Sequence, residues 1–202
     1  MSPTSDFALY SVHWAYWGTF GVTRLVLRMR ARGRARTDDA VPASGQEKTA
    51  PYSRAVLAFH ALAFGVMYFG IGWSVIPGRV PVWFRGQRAA GTLVIGLGAA
   101  LMSWALVYFQ SWRFRAKLDA DHRLATGGPF RLVRHPIYMG LNLLALGSAI
   151  WVPTATLWVS VVMMAIGSDL RGRAEEALLD EAFGGPYREY CARTSRFIPG
   201  VY

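Results

Sequence analysis

Long apolar runs separated by clusters of arginine decide what this chain can fold into. An apolar run of about 20 residues matches the hydrocarbon core of a bilayer when helical. Lipid offers no partner to backbone N–H and C=O groups, so such a run must pair them internally as a helix. Three runs meet the length: Phe7 to Leu27, Ala55 to Ile76 and Ala89 to Phe109. In the third, Gly91, Gly96 and Gly98 are spaced for close helix packing. A fourth stretch, Ile137 to Gly167, would reach roughly 45 Å as one helix. That exceeds the roughly 30 Å core. Pro153 lies in its middle, after Trp151, where a helix breaks. The stretch is predicted as a hairpin. The fold class is therefore all-α: a polytopic membrane protein with five transmembrane helices, closed by cytosolic C-terminal helices. Residues 1–110 form a three-span region and 111–202 a second region containing the hairpin.

Charge then orients the spans. Arg28, Arg30, Arg32, Arg34, Arg36, Lys48 and Arg54 follow the first run in a polar segment that reads as a mobile loop. Arg113, Arg115, Lys117, Arg123, Arg131 and Arg134 follow the third run, and Arg171, Arg173, Arg188, Arg193 and Arg196 follow the hairpin. The opposite side carries only Arg79, Arg85 and Arg88. Five spans put all three basic segments on one face, which the positive-inside rule makes cytoplasmic, with the N-terminus outside. Four spans would leave the tail outside, against the rule.

Composition agrees. Only 17% of the 202 residues are charged and 53% are hydrophobic, against about 25% charged in soluble domains. The net charge of +10 would suggest nucleic acid on a continuous basic face. Here the arginines sit between apolar runs, so no nucleic-acid partner is expected. The single cysteine, Cys191, allows no intrachain disulfide. The N-terminus lacks the basic segment and small-residue site of a cleaved signal, so the first run is expected to be a retained span.

Polar residues of chemical interest gather after position 120. The segment from His122 to Gly140 reads HRLATGGPFRLVRHPIYMG. Gly127-Gly128-Pro129 is a turn, and Pro136 suits the first turn of a helix. That helix start offers backbone N–H groups to an anion, while Arg134 equally suits a snorkelling role. Beyond the hairpin, Arg171 to Gly200 reads RGRAEEALLDEAFGGPYREYCARTSRFIPG. Arg171 and Glu175 share a helix face, as a ligand pair or a solvated ion pair. Tyr187 and Tyr190, three apart, suit either a flat ligand or an interfacial anchor. His60 and Asn142 lie within spans, where polar groups are functional candidates or interhelical glue. Asp169 is expected to end the fifth span facing water.

Together the GPFRLVRHPIY block, the hydrophobic hairpin, the paired Glu175-Glu176, the FGxxYxxY tail and the closing RFIP resemble the isoprenylcysteine carboxyl methyltransferase family. Phospholipid N-methyltransferases and membrane thiol methyltransferases belong to the wider group. The resemblance covers about the last 80 residues and implies a membrane methyltransferase that uses S-adenosylmethionine from a cytosolic pocket. By position, His122, Leu124, Phe130, His135, Tyr138, Tyr187 and Tyr190 correspond to the cofactor-lining set. Phe130 stands where the family often carries tyrosine and so brings the ring without the hydroxyl. Arg134, Arg171, Glu175 and Glu176 correspond to the residues that hold the acceptor or the ends of the cofactor.

The residue types suit that chemistry. An arginine fork fits a carboxylate, and an aromatic face fits a sulfonium or adenine. In-line methyl transfer needs alignment more than acid–base power, so a missing Ser/His/Asp set is no objection, and no metal is expected. A lipophilic or small hydrophobic acceptor would enter from the membrane, which the Arg/Ala/Gly-rich composition places in a bacterial inner membrane. A carboxylate, thiol or amine acceptor remains open. The competing readings are an NADPH-dependent sterol- or enone-type membrane reductase with a similar C-terminal architecture, and a non-enzymatic membrane protein of the same fold.

Overall fold

The computed structural model describes residues 7–34, 48–49, 53–74, 82–109, 117–118 and 124–202. Six α-helices account for most of these: α1 (Phe7–Arg34), α2 (Ser53–Ser74), α3 (Gln87–Phe109), α4 (Pro136–Trp151), α5 (Ala155–Phe183) and α6 (Gly185–Arg193). Outside them stand a 3-10 turn at Gly128–Arg131 and one two-residue antiparallel pairing of Lys48–Thr49 with Lys117–Leu118.

The predicted hairpin is present. Val152, Pro153 and Thr154 separate α4 from α5, and His135 and Asn142 of one arm meet Glu176 and Ser168 of the other. Pro136 opens α4, where a missing N–H costs nothing. The second arm does not stop at the end of its apolar part. It runs on from Gly167 through Arg171 and the paired glutamates to Phe183. There Gly184, at φ +56°, takes the left-handed conformation that ends the helix.

The first helix also outruns its apolar segment. Its backbone continues past Leu27 to Arg34, so Arg28, Arg30, Arg32 and Arg34 lie on helix where a loop was predicted. Arginine is a good helix former, and nothing in that stretch interrupts the turn.

Side chains are distributed as in a bilayer protein. Trp14, Val22, Leu62, Phe69, Leu93, Leu97, Val159 and Val162 point outward and are more than half exposed, while Met67, Met102, Leu144 and Met164 are sealed inside. By length and composition, Arg54–Ser74 and Gln87–Tyr108 are able to cross a membrane. Among the described residues the other helices do not meet that test, so two of the five expected crossings are matched: α4 has 16 residues, and α1 and α5 each carry charge along one end.

Reciprocal glycines join α3 to α4. A Cβ on Gly91 would lie 2.6 Å from the Gly147 carbonyl oxygen, and one on Gly98 would lie 2.8 Å from that of Gly140. The reverse substitutions collide with Gly98 and Gly91 in turn. Gly96, expected to share this role, points to open space. On the far side α2 packs along α5.

Candidate functional site

The two polar segments flanking the hairpin come together at its open end. Glu176 on α5 is the centre. Its Oε1 accepts from Arg134 Nε at 2.8 Å, His135 Nε2 at 3.1 Å and Arg196 Nε at 3.0 Å. Its Oε2 accepts from a terminal nitrogen of Arg196 at 2.6 Å. Burial opposes ionisation of Glu176. Hydrogen bonds from His135, Arg196 and Arg134 outweigh it and hold the carboxyl well below the usual carboxylate range. Because a carboxylate only accepts, the His135 nitrogen facing it carries the proton.

Glu175, one residue away, is turned to a different group. Its Oε1 accepts a short hydrogen bond from the Tyr138 hydroxyl, and its Oε2 stands 3.7 Å from His135 Nδ1. The Arg171 guanidinium lies over the Tyr138 ring, 5.1 Å from its centre. The His135 ring stacks on Tyr138 at 5.7 Å. A one-residue step on a helix turns a side chain by about 100°, so adjacent acids serve different neighbours.

Backbone pairing fixes this layout. The Arg134 N–H donates to the Ser195 carbonyl at 2.8 Å and the His135 N–H to that of Arg196 at 3.2 Å. Arg134 also gives its NH1 to the carbonyls of Thr194 and Cys191. It neither snorkels nor reaches outward; it clamps the tail to α5. Asp169, expected to face water, is instead bonded by Arg196 at 2.9 Å, Arg173 at 2.6 Å and the Tyr202 hydroxyl at 2.8 Å.

Missing side chains make the room. Gly172 lies under the His135 ring, 3.3 Å from where its Cβ would be, and Gly167 lies against His60 in the same way. Gly128, at φ +56°, and Gly127 leave space for the Tyr108 ring, which anchors the 3-10 turn to α3. Phe130 faces that same ring at 6.1 Å, and its carbonyl accepts from the Tyr190 hydroxyl at 2.7 Å. Tyr187 and Tyr190 are both buried, with ring centres 6.2 Å apart. They pack α6 onto the turn and present no open stacking face. Leu124 is half-buried at the start of this segment. His122 lies outside the described residues.

Arg196 is the member that motif reading passed over. The RFIP signature contains it, but an arginine that far along the chain gives no local sign of its partner. A hollow of about 600 Å³ opens between Arg131, Arg134, Arg193, Arg196 and Tyr202. Glu175, Tyr138 and Arg171 do not line it. The grouped charges and rings, rather than this basic hollow, mark the candidate site.

Comparison with known proteins gives the family. The phospholipid methyltransferase family matches residues 87–185, from the start of α3 to the end of α5. A probable protein-S-isoprenylcysteine O-methyltransferase of Oryza sativa subsp. indica is 32% identical over 146 residues, 70% of this chain and 75% of its own length. The protein-S-isoprenylcysteine O-methyltransferase of Schizosaccharomyces pombe is 36% identical over 86 residues, 42% of this chain and 36% of its own length. Methanethiol S-methyltransferase of Pseudomonas deceptionensis is 26% identical over 172 residues, 75% of this chain and 61% of its own length. These names favour methyl transfer over the reductase reading. With its hairpin, paired glutamates and RHPIY block, the chain belongs to the isoprenylcysteine methyltransferase-like family of membrane methyltransferases.

Proposed function

We propose that the chain transfers a methyl group from S-adenosylmethionine to a lipophilic or small hydrophobic acceptor at the cytoplasmic membrane boundary. The observation that carries this is the grouping of Tyr138, Arg171 and Glu175 at the open end of the hairpin. A cation, an anion and an aromatic face converge there, and the donor presents a carboxylate, a diol and a sulfonium. The donor supplies an activated methyl group; the chain supplies position and a dry approach.

The residues divide by how fully the protein already uses them. Glu176 and Arg134 are spent on internal bonds and hold the site in shape. Glu175, about a quarter exposed, is the acid assigned to the cofactor. Arg171 is assigned to a carboxylate or to the developing product. Relatives named for isoprenylcysteine and for methanethiol support an apolar acceptor arriving from the bilayer.

Five crossings complete the reading. At 16 residues, α4 reaches roughly 24 Å, which a helix tolerates when packed between neighbours. Crossing by α1 to α5 sends the C-terminal segment and α6 to the arginine-rich, cytoplasmic side.

Titration calorimetry of the purified protein in detergent is the direct test. Saturable heat with S-adenosylmethionine is expected. Heat with NADPH and none with S-adenosylmethionine would return the reductase reading. Glu175→Gln is expected to weaken cofactor binding at least about tenfold, the scale of one charge-assisted hydrogen bond, with the thermal midpoint little changed.

A further inference from the structure

One concave surface lies apart from the grouped acids and rings. The hollow of about 600 Å³ is walled by the end of the 3-10 turn, the end of α6 and the tail that follows it. Arg131, Arg134, Arg193 and Arg196 line it, and among the described residues no aspartate or glutamate does. Like charges around one space repel each other unless each is compensated. Two of these are compensated from behind the wall. Glu176 takes Arg134 and Arg196, and Asp169 takes Arg196 as well.

The other two have no acid. Arg131 is exposed, and among the described residues no hydrogen bond or ion pair holds its side chain. Arg193, also exposed, spends only its Nε, on the Glu189 carbonyl one turn back at 3.3 Å. Ser195 adds a donor to the lining. Its oxygen accepts from the Gly200 N–H at 3.0 Å, and among the described residues its proton goes to no acceptor. Two uncompensated guanidiniums and a hydroxyl proton around one hollow suit an anion with several oxygens, and the guanidinium fork matches phosphate.

The rim is apolar instead. Leu132 and Val201 line the hollow and are 50% and 78% exposed. Its height along the bundle is fixed by Tyr202, whose hydroxyl joins Asp169 and Arg173 of α5. On those same turns of α5, Ile166 and Leu170 are outward-facing and apolar. The hollow therefore lies level with the end of the lipid-facing surface, where a bilayer presents its phosphates. That height rests on the crossings of α4 and α5 proposed above.

We propose that the hollow seats the phosphate of an anionic phospholipid, with Arg131 and Arg193 on the phosphate and Leu132 and Val201 against the start of its chains. A free phosphate would meet the same cations but leave Leu132 and Val201 in water. A zwitterionic lipid would bring its own cation into a space already lined by four arginines. The lipid is bound, not transformed. The wall of the hollow is also the clamp on the tail, since Arg134 and Arg196 fasten that segment to α5. A seated lipid thus adds a further fastening to the tail beside the candidate site.

The test counts lipid bound to the full chain in detergent by native mass spectrometry. The probes are dioleoyl phosphatidylglycerol and dioleoyl phosphatidylcholine, which share chains and phosphate and differ in net charge. The wild type is expected to hold its first phosphatidylglycerol about thirtyfold more tightly than phosphatidylcholine, the scale of two arginines at an anionic headgroup. Arg131→Gln/Arg193→Gln changes two exposed positions outside the candidate site and is expected to bring the two lipids within about threefold of each other. Equal retention by the wild type, or a preference that the double variant keeps, overturns the proposal. Val201→Glu, which sets a carboxylate at the rim, is expected to abolish the preference too, and its persistence there is equally fatal. Thermal melts separate a lipid from a free anion, because whatever binds the folded chain raises its midpoint. Phosphatidylglycerol is expected to raise the wild-type midpoint and millimolar inorganic phosphate to leave it unchanged. An equal rise with phosphate gives the hollow to a soluble anion and overturns the lipid seat. Neither readout involves cofactor or turnover, so a failure here leaves the methyl-transfer reading standing, and cysteine labelling of α5 and α6 tests the crossings separately.

Discussion

At the residue scale, the paired glutamates show how neighbours of one type take unequal work. Glu176 receives bonds from three cationic or proton-bearing side chains, whereas Glu175 meets a tyrosine hydroxyl at a partly open position. Glu176→Ala would leave Arg134 partly buried without a carboxylate and Arg196 with Asp169 alone, at a cost of about 3–5 kcal/mol. A drop in thermal midpoint with loss of the tail's protection from protease checks this. The depressed carboxyl of Glu176 also sets a pH dependence. A group whose folded value lies below its unfolded one, about 4.3 for glutamate, contributes full stability above that value. The contribution is lost as pH falls through the folded value. Stability of the wild type is therefore expected to be flat from pH 8 to about 5.5 in this respect and to decline below about 4.5, with a weaker decline in Glu176→Gln. Thermal melts across that range measure it. The motif made both acids legible; which one clamps the tail and which one is left to Tyr138 depended on Arg196, twenty residues further on.

At the element scale, the hairpin and its glycines do the positioning. Pro153 announced the break in the chain's last apolar stretch, and α4 and α5 part there. The length of α5 was not announced, because nothing at Gly167 stops a helix and good helix formers follow. Glycine spacing suggested close packing of α3, but only the facing helix shows which glycines are used. Gly91 and Gly98 meet Gly147 and Gly140, seven residues apart on each side, and Gly96 meets nothing. Gly98→Val is expected to destabilise the bundle by about 1–3 kcal/mol through overpacking. Gly96→Val, on the same helix, should leave the melting temperature within about a degree, since open space takes the side chain at little cost. Paired melts of the two variants separate the interface from general helix propensity.

At the scale of the whole molecule, the proposed five crossings turn the charge asymmetry into a topology that labelling can test. Five crossings predict that a cysteine at Ala155, in the turn-side end of α5, reacts with an impermeant thiol reagent from outside. One at Gly185, at the start of α6, should react only from the cytoplasmic side. Both are made in a Cys191→Ser background, and labelling of intact cells against inverted vesicles reads them. Reaction of both from one side would overturn the five-span topology. The same frame explains why polar groups sit where they do. His13, His60, Ser148 and Ser168 are all buried, while the outward faces are apolar, the inverse of a water-soluble bundle.

Hydropathy, the proline break and the arginine clusters determined by themselves that this chain is helical, membrane-borne and hairpin-ended. Those properties follow from one segment meeting its solvent, and each segment carries its own record of it. The motif residues around Arg134 and Glu175 likewise named the region proposed for the chemistry. Tertiary structure decided the rest: that Arg134 and Glu176 serve the fold and that Tyr138 and Arg171 frame Glu175. Each of these depends on contacts between residues distant in sequence, where the deciding quantity is the distance of an ångström or two between a donor and its acceptor, and no local pattern encodes it.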